Sequence, residues 1–130
     1  MIDITTTIRP APFLKGVGRL PFEAIGRRIL GTRYELSLVI CGDALSRRVN
    51  KTYRHKTYAP NVLAFTLEKN EGEIFLNVRK AAREAKTFGI PFHVRLALLF
   101  IHGCLHLKGM RHGRTMEATE KRTLRAFRIT

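Results

Sequence analysis

The sequence predicts an α+β domain, and three observations lead to it. Four short runs rich in β-formers are interleaved with five stretches of helical apolar spacing. One of those stretches, residues 91–108, is apolar on nearly every side, which places it in the middle of the fold. At 130 residues, 45% hydrophobic and 26% charged, the chain is long and apolar enough to bury its own core. One domain over residues 1–130 is expected.

The elements follow in order. Residues 2–8 alternate isoleucine with polar residues and read as a short strand, ended by Pro10 and Pro12. From Phe13 to Leu30 apolar residues recur at roughly helical spacing. Gly16, Gly18 and Pro21 interrupt the first part, so the helix is expected over 21–30 with Gly31 as its stop. Tyr34–Cys41 is a strand of β-formers, and Gly42-Asp43 turns the chain into a helix over 44–54. Leu45, Val49 and Tyr53 are expected on its inner face. Residues 55–61 read as a polar loop. Strands at 62–66 and 73–77, with a turn-like stretch at 68–72, make a hairpin. A helix over 78–88 ends at Gly89, and Pro91 opens the long helix. The last helix spans 115–127 and carries Met116, Leu124 and Phe127.

The charge balance points to a polyanion. Twenty-four Lys and Arg against ten Asp and Glu give a formal net charge of +14. Such a surface gathers phosphates, because neutralising them releases condensed counterions, so nucleic acid is the expected partner. The two cysteines, Cys41 and Cys104, stand in apolar contexts and read as reduced core residues of a cytoplasmic protein. The first residues lack the basic and apolar regions of a secretory leader. The longest apolar stretch, Val94 to Leu107, is interrupted by two histidines and is too short to cross a bilayer, so no membrane partner is expected.

The chemistry lies in His102-Gly-Cys-Leu-His106-Leu-Lys-Gly109-Met-Arg-His112. His102 and His106 are four apart on a helix, so their rings project from one face, a turn apart. Gly109 can adopt φ > 0, end the helix and reverse the chain, which brings His112 back to the same point. Three imidazoles around one metal leave a coordination position open, the catalytic arrangement of zinc. Such a metal activates water or polarises a phosphoryl oxygen. Metzincin proteases use similar spacing, with glutamate directly after the first histidine as general base. Here that position is Gly103, which argues against proteolysis. Combined with the basic charge, the site points to a phosphodiester, and RNA suits it because the 2′-hydroxyl is an internal nucleophile. Arg54 or its neighbours can supply positive charge. Arg47, Arg48, Lys51, Lys56 and Arg111 are candidate RNA-binding residues, with Arg114 in the same patch. His55 and His93 read as surface histidines.

The segment from His102 to His112 resembles the His-Gly-x-Leu-His-Leu-x-Gly-x-Asp-His signature of the YbeY family of bacterial endoribonucleases and rRNA maturation factors. Asn50-Lys-Thr-Tyr53-Arg54-His-Lys56, Asn61-Val-Leu-Ala-Phe65, Gly72-Glu-Ile74 and Met116-Glu-Ala118 are similar to further family stretches. Together they cover about residues 34–127 in the right order, while residues 1–33 show little to match. The resemblance implies a small mixed sheet, zinc on His102, His106 and His112, and cleavage of single-stranded RNA. It also implies a role in 16S rRNA processing and ribosome quality control, with the small ribosomal subunit and an Era-type GTPase as partners. Arg54 matches an arginine regarded as functionally important there, and with His102 it is expected to carry catalysis. Arg111 departs from the pattern, standing where the family has aspartate. Thr57, Pro60-Asn61 and Ala64 depart too, and the 55–61 loop has lost acidic character. A second expectation is therefore an RNA- or ribosome-binding factor with weak or lost catalysis. A purely structural zinc site is the third, although three histidines without a thiolate are unusual for one.

Overall fold

The computed structural model describes residues 1–8 and 17–130. Four strands, β1 (Ile2–Thr6), β2 (Glu35–Cys41), β3 (Val62–Glu68) and β4 (Glu71–Asn77), form one sheet in the order β1-β2-β4-β3. β1 pairs parallel to β2 and β2 parallel to β4, whereas β3 runs antiparallel to β4, so the sheet is mixed. Five described helices accompany it: α1 (Phe22–Leu30), α2 (Asp43–Arg54), α3 (Val78–Phe88), α4 (Phe92–Lys108) and α5 (Arg114–Ala126). This is the expected α+β architecture.

α4 holds the centre. It packs against α1, α3 and α5 and against strands β3 and β4. Leu96, Ala97, Phe100, Ile101, Cys104 and Leu105 are fully or almost fully buried, which is why the segment is apolar on nearly every side. Phe100 meets Phe22 of α1 edge to face at 4.9 Å between centroids. Truncating such a buried ring costs about 3–5 kcal/mol. On the sheet, Leu38 of β2 pairs in register with Ile74 of β4, and both are fully buried.

Three expectations are corrected. The hairpin strands are longer than 62–66 and 73–77, because β3 and β4 pair through to Glu68 and Glu71 across a tight turn at Lys69-Asn70. Gly72, expected in the turn, lies in β4, where a Cβ would collide with the Tyr34 hydroxyl. Tyr53 does not face inward: it is 69% exposed and leans on Phe65 at 5.5 Å, while the buried face of α2 is Ser46, Val49 and Asn50. The third concerns β1, which ends at Thr6. Thr7 then bonds the Ile40 carbonyl through both its amide (2.9 Å) and its hydroxyl (3.0 Å). Pro10, Pro12 and the uncertain start of the first helix lie outside the described residues. The remaining helices agree with expectation to within a residue or two.

Cys41 and Cys104 are free and fully buried. Burial raises the Cys41 thiol to about 12 and the Cys104 thiol further still, so neither ionises near neutral pH. Among the described residues, no helix is long and apolar enough to cross a membrane.

Candidate metal centre

The last two turns of α4 carry His102 and His106, both half-buried, on one side of the helix. Gly109 ends α4 in the left-handed region at φ 103°, and its amide caps the carbonyls of Leu105 and His106. The Met110 amide bonds the Leu105 carbonyl at 3.0 Å, completing the reversal. His112 then returns over the helix end. The three ring centroids are 4.5, 4.6 and 4.8 Å apart, and one ligand nitrogen from each ring lies within 4.8 Å of the others.

This donor set fits a metal ion. Nitrogens bound tetrahedrally at zinc distances stand about 3.3 Å apart. His102 Nε2 and His106 Nε2 are 3.0 Å apart, close to that spacing. Burial, joined by the neighbouring His102 and His112 and by the Arg54 charge, lowers the pKa of His106. Its ring is therefore held neutral at physiological pH, as a ligand must be.

A carboxylate completes the cluster from behind. Glu120 of α5 is only 8% exposed, and its Oε2 lies 2.7 Å from His102 Nδ1. That contact orients the ring and leaves Nε2 free toward the other histidines. Glu120 was not singled out in the sequence, although a signal was there: Met116, Glu120 and Thr123 share one buried face of α5, and an acid on such a face needs a partner.

The histidines open into a cleft of about 730 Å³ between α4, β3 and the end of α2. Arg54, the last residue of α2, lines it together with Lys80 of α3 and Tyr58. No Asp or Glu is among the described residues lining it. A smaller recess of about 320 Å³ on the other side of the cluster is bordered by Arg95, whose guanidinium is held by Glu84 at 3.0 and 3.1 Å.

The sequence-predicted residues thus divide. His102, His106, His112 and Arg54 come together. Arg47, Arg48, Lys51, Lys56 and Arg111 are all exposed and lie outside the cleft lining, and Arg114 opens α5 in the open. Lys80, which does line the cleft, had no distinguishing sequence pattern. His55 is exposed at the left-handed end of α2, and exposed His93 has Nε2 3.1 Å from the Thr130 carbonyl. Gly103 faces the sheet: a Cβ there would sit 3.2 Å from Ile74 Cδ1 and 3.3 Å from Val62 Cγ2. A side chain at this position would press on both groups, so the tight packing agrees with the absence of the protease-type glutamate here.

Comparison with known proteins agrees with this geometry. The family model described as Endoribonuclease YbeY matches residues 20–128. The chain is 37% identical over 128 residues to an endoribonuclease YbeY of Aromatoleum aromaticum, covering 93% of this chain and 83% of that protein. It is 39% identical over 119 residues to one of Geobacter sulfurreducens, covering 82% and 79%. With one of Geobacter metallireducens it shares 40% identity over 97 residues, 68% of this chain and 65% of the relative, just under two thirds of that protein's length. The fold is similar to the solution structure of TM1509 from Thermotoga maritima, with TM-score 0.68 and 22% identity over 98% of this chain and 92% of the other. A signature of three histidines, their convergence at one point and a family match across most of the chain lead to one conclusion: this protein belongs to the endoribonuclease YbeY family.

Proposed function

We propose that this chain is a metal-dependent endoribonuclease that cuts single-stranded RNA, with one zinc ion on His102, His106 and His112. The observation that carries the reading is a three-imidazole cluster facing a cleft that bears Arg54 and Lys80 and no carboxylate among its described lining residues. The relatives' own names, endoribonuclease, support the same chemistry. When bound, the metal supplies Lewis acidity toward a phosphoryl oxygen. The chain's residues do the rest. Glu120 fixes the tautomer and orientation of His102. Arg54 offers paired N–H donors to the non-bridging oxygens of the same phosphate and offsets charge that develops there. With no carboxylate among the described residues lining the cleft, RNA is favoured over DNA, since its 2′-hydroxyl is an internal nucleophile already in place.

The setting that goes with this activity is 16S rRNA maturation and ribosome quality control in the cytoplasm. The small ribosomal subunit and an Era-type GTPase are the proposed partners. Two buried thiols and the +14 charge suit a reducing, RNA-rich compartment. Purified protein should carry about one zinc per chain by elemental analysis and cleave single-stranded rRNA fragments, losing activity with chelator and with His102→Ala. Cleavage indifferent to both would end the catalytic reading of the metal. Exposed Arg111 beside His112 favours a second reading, an RNA- or ribosome-binding factor with weak or lost catalysis. Its mark is salt-sensitive RNA binding that survives loss of the histidines without metal-dependent cleavage.

A further inference from the structure

Tyr58 stands on a segment that is unusually well pinned. Four consecutive carbonyls accept hydrogen bonds from four different residues. Asn50 Nδ2 donates to the Tyr58 carbonyl at 3.0 Å, and Lys80 Nζ to that of Ala59 at 2.8 Å. Ser46 Oγ (2.7 Å) and Asn77 Nδ2 (3.3 Å) donate to that of Pro60, and the Asn77 amide to that of Asn61 at 2.9 Å. Asn50, Ser46 and Asn77 are themselves almost fully buried, so the segment is anchored from beneath by α2 and the start of α3. Yet Tyr58, which this anchoring carries, is left 51% exposed on the wall of the cleft that holds the histidines. Lys80 Nζ lies over the ring, 5.8 Å from its centroid, which adds a cation against one face.

A rigid backbone presenting an exposed ring beside two cations has a recognisable use. Unpaired nucleobases stack on such rings, and the cations take the adjoining phosphates. We propose that Tyr58 is a stacking platform for one unpaired base of the substrate, next to the phosphate that meets Arg54 and the histidines. This rests on the RNA reading above and deepens it: the platform selects single strands, because a base inside a duplex has no free face to offer. It is tolerant of sequence, because every base has one.

The chain contains no tryptophan, so Tyr58→Trp places a single indole reporter on the wall. The probe is a 2′-O-methyl oligoribonucleotide of about ten nucleotides, which matches a short single-strand site and lacks the free hydroxyl nucleophile. It is used with the metal-loaded protein, beside a duplex of the same sequence and an oligonucleotide with abasic positions. Expected are quenching of the indole emission by the single strand but not by the abasic strand or duplex, a Tyr58→Ala loss of about 5- to 150-fold in single-strand affinity, and wild-type affinity in Tyr58→Phe. Thermal melts of each variant separate lost stacking from lost fold. Unchanged affinity in Tyr58→Ala with no quenching overturns the platform while leaving the RNA reading intact. A Phe variant as weak as Ala overturns it too, by assigning the role to the hydroxyl. Failure of the wild type to bind any of the strands overturns both readings.

Discussion

Glu120 and His102 are joined at 2.7 Å between Oε2 and Nδ1, while the other ring nitrogen of His102, Nε2, meets His106. The carboxylate comes from α5 and the imidazole from α4, so the docking of these two helices sets the aim of the His102 ring. Removing that partner should weaken metal binding by about 10- to 100-fold in Glu120→Ala. Glu120→Gln should lose less, since its carbonyl oxygen still accepts the Nδ1 proton. Competition titration against a chelating dye reads both. Equal affinity in all three proteins would remove Glu120 from the site.

His106 should titrate below the ordinary histidine value. Burial is the leading cause, followed by its two neighbouring imidazoles, with Arg54 adding to them. The sign follows from linkage. In the metal-free protein the unfolded chain takes up this proton before the folded one does. The contribution of His106 is therefore present above the unfolded value of about 6.5 and lost as pH falls below it. Imidazole proton NMR should place the His106 midpoint below that of a free histidine and move it upward in Arg54→Ala. A midpoint indifferent to Arg54 would separate that guanidinium from the histidines.

Gly109→Ala should destabilise the protein by about 1–2 kcal/mol, the cost of holding an L-residue in the left-handed region. No atom crowds the position, so the cost is conformational rather than steric. Because this turn carries His112 back to the cluster, metal affinity should fall with stability. Denaturant unfolding and metal titration on one variant check both halves, and an unchanged midpoint would contradict the cap.

Asp43 should contribute to acid stability. Its carboxylate receives the Arg83 guanidinium at 2.8 and 2.9 Å and Asn77 Nδ2 at 2.9 Å, and its pKa falls to about 2, with the Arg83 hydrogen bond as the largest cause. A depressed carboxylate stabilises fully above its unfolded value of about 3.9 and loses that contribution as pH drops toward its folded value. The stability gap between wild type and Asp43→Asn should therefore narrow between about pH 4 and pH 2. A gap constant over that range would show that the pair contributes nothing that titrates.

Periodicity and local chemistry made much legible in the residues alone. The element order, the apolar helix, the glycine stop at 109 and the triad itself all follow from spacing, because a helix repeats every 3.6 residues and positions four apart share a face. Arg54 entered through its match to the arginine of the YbeY family stretch, not through any period. Glu120, Lys80 and Tyr58 entered by neither route. Each reaches the site from a separate element, and only the packing of α5, α3 and the 58–61 segment against α4 and α2 brings them there. Tyr53 teaches the converse. Its helical spacing placed it inside, but the polar pair Ser46 and Asn50 took the buried face, since the carbonyls of the 58–61 segment needed donors there. The sequence by itself determined which groups can bind a metal. Which carboxylate steadies them, and which cations and ring share their cleft, was decided by tertiary structure, because those contacts join residues far apart in the chain, beyond the reach of any local period.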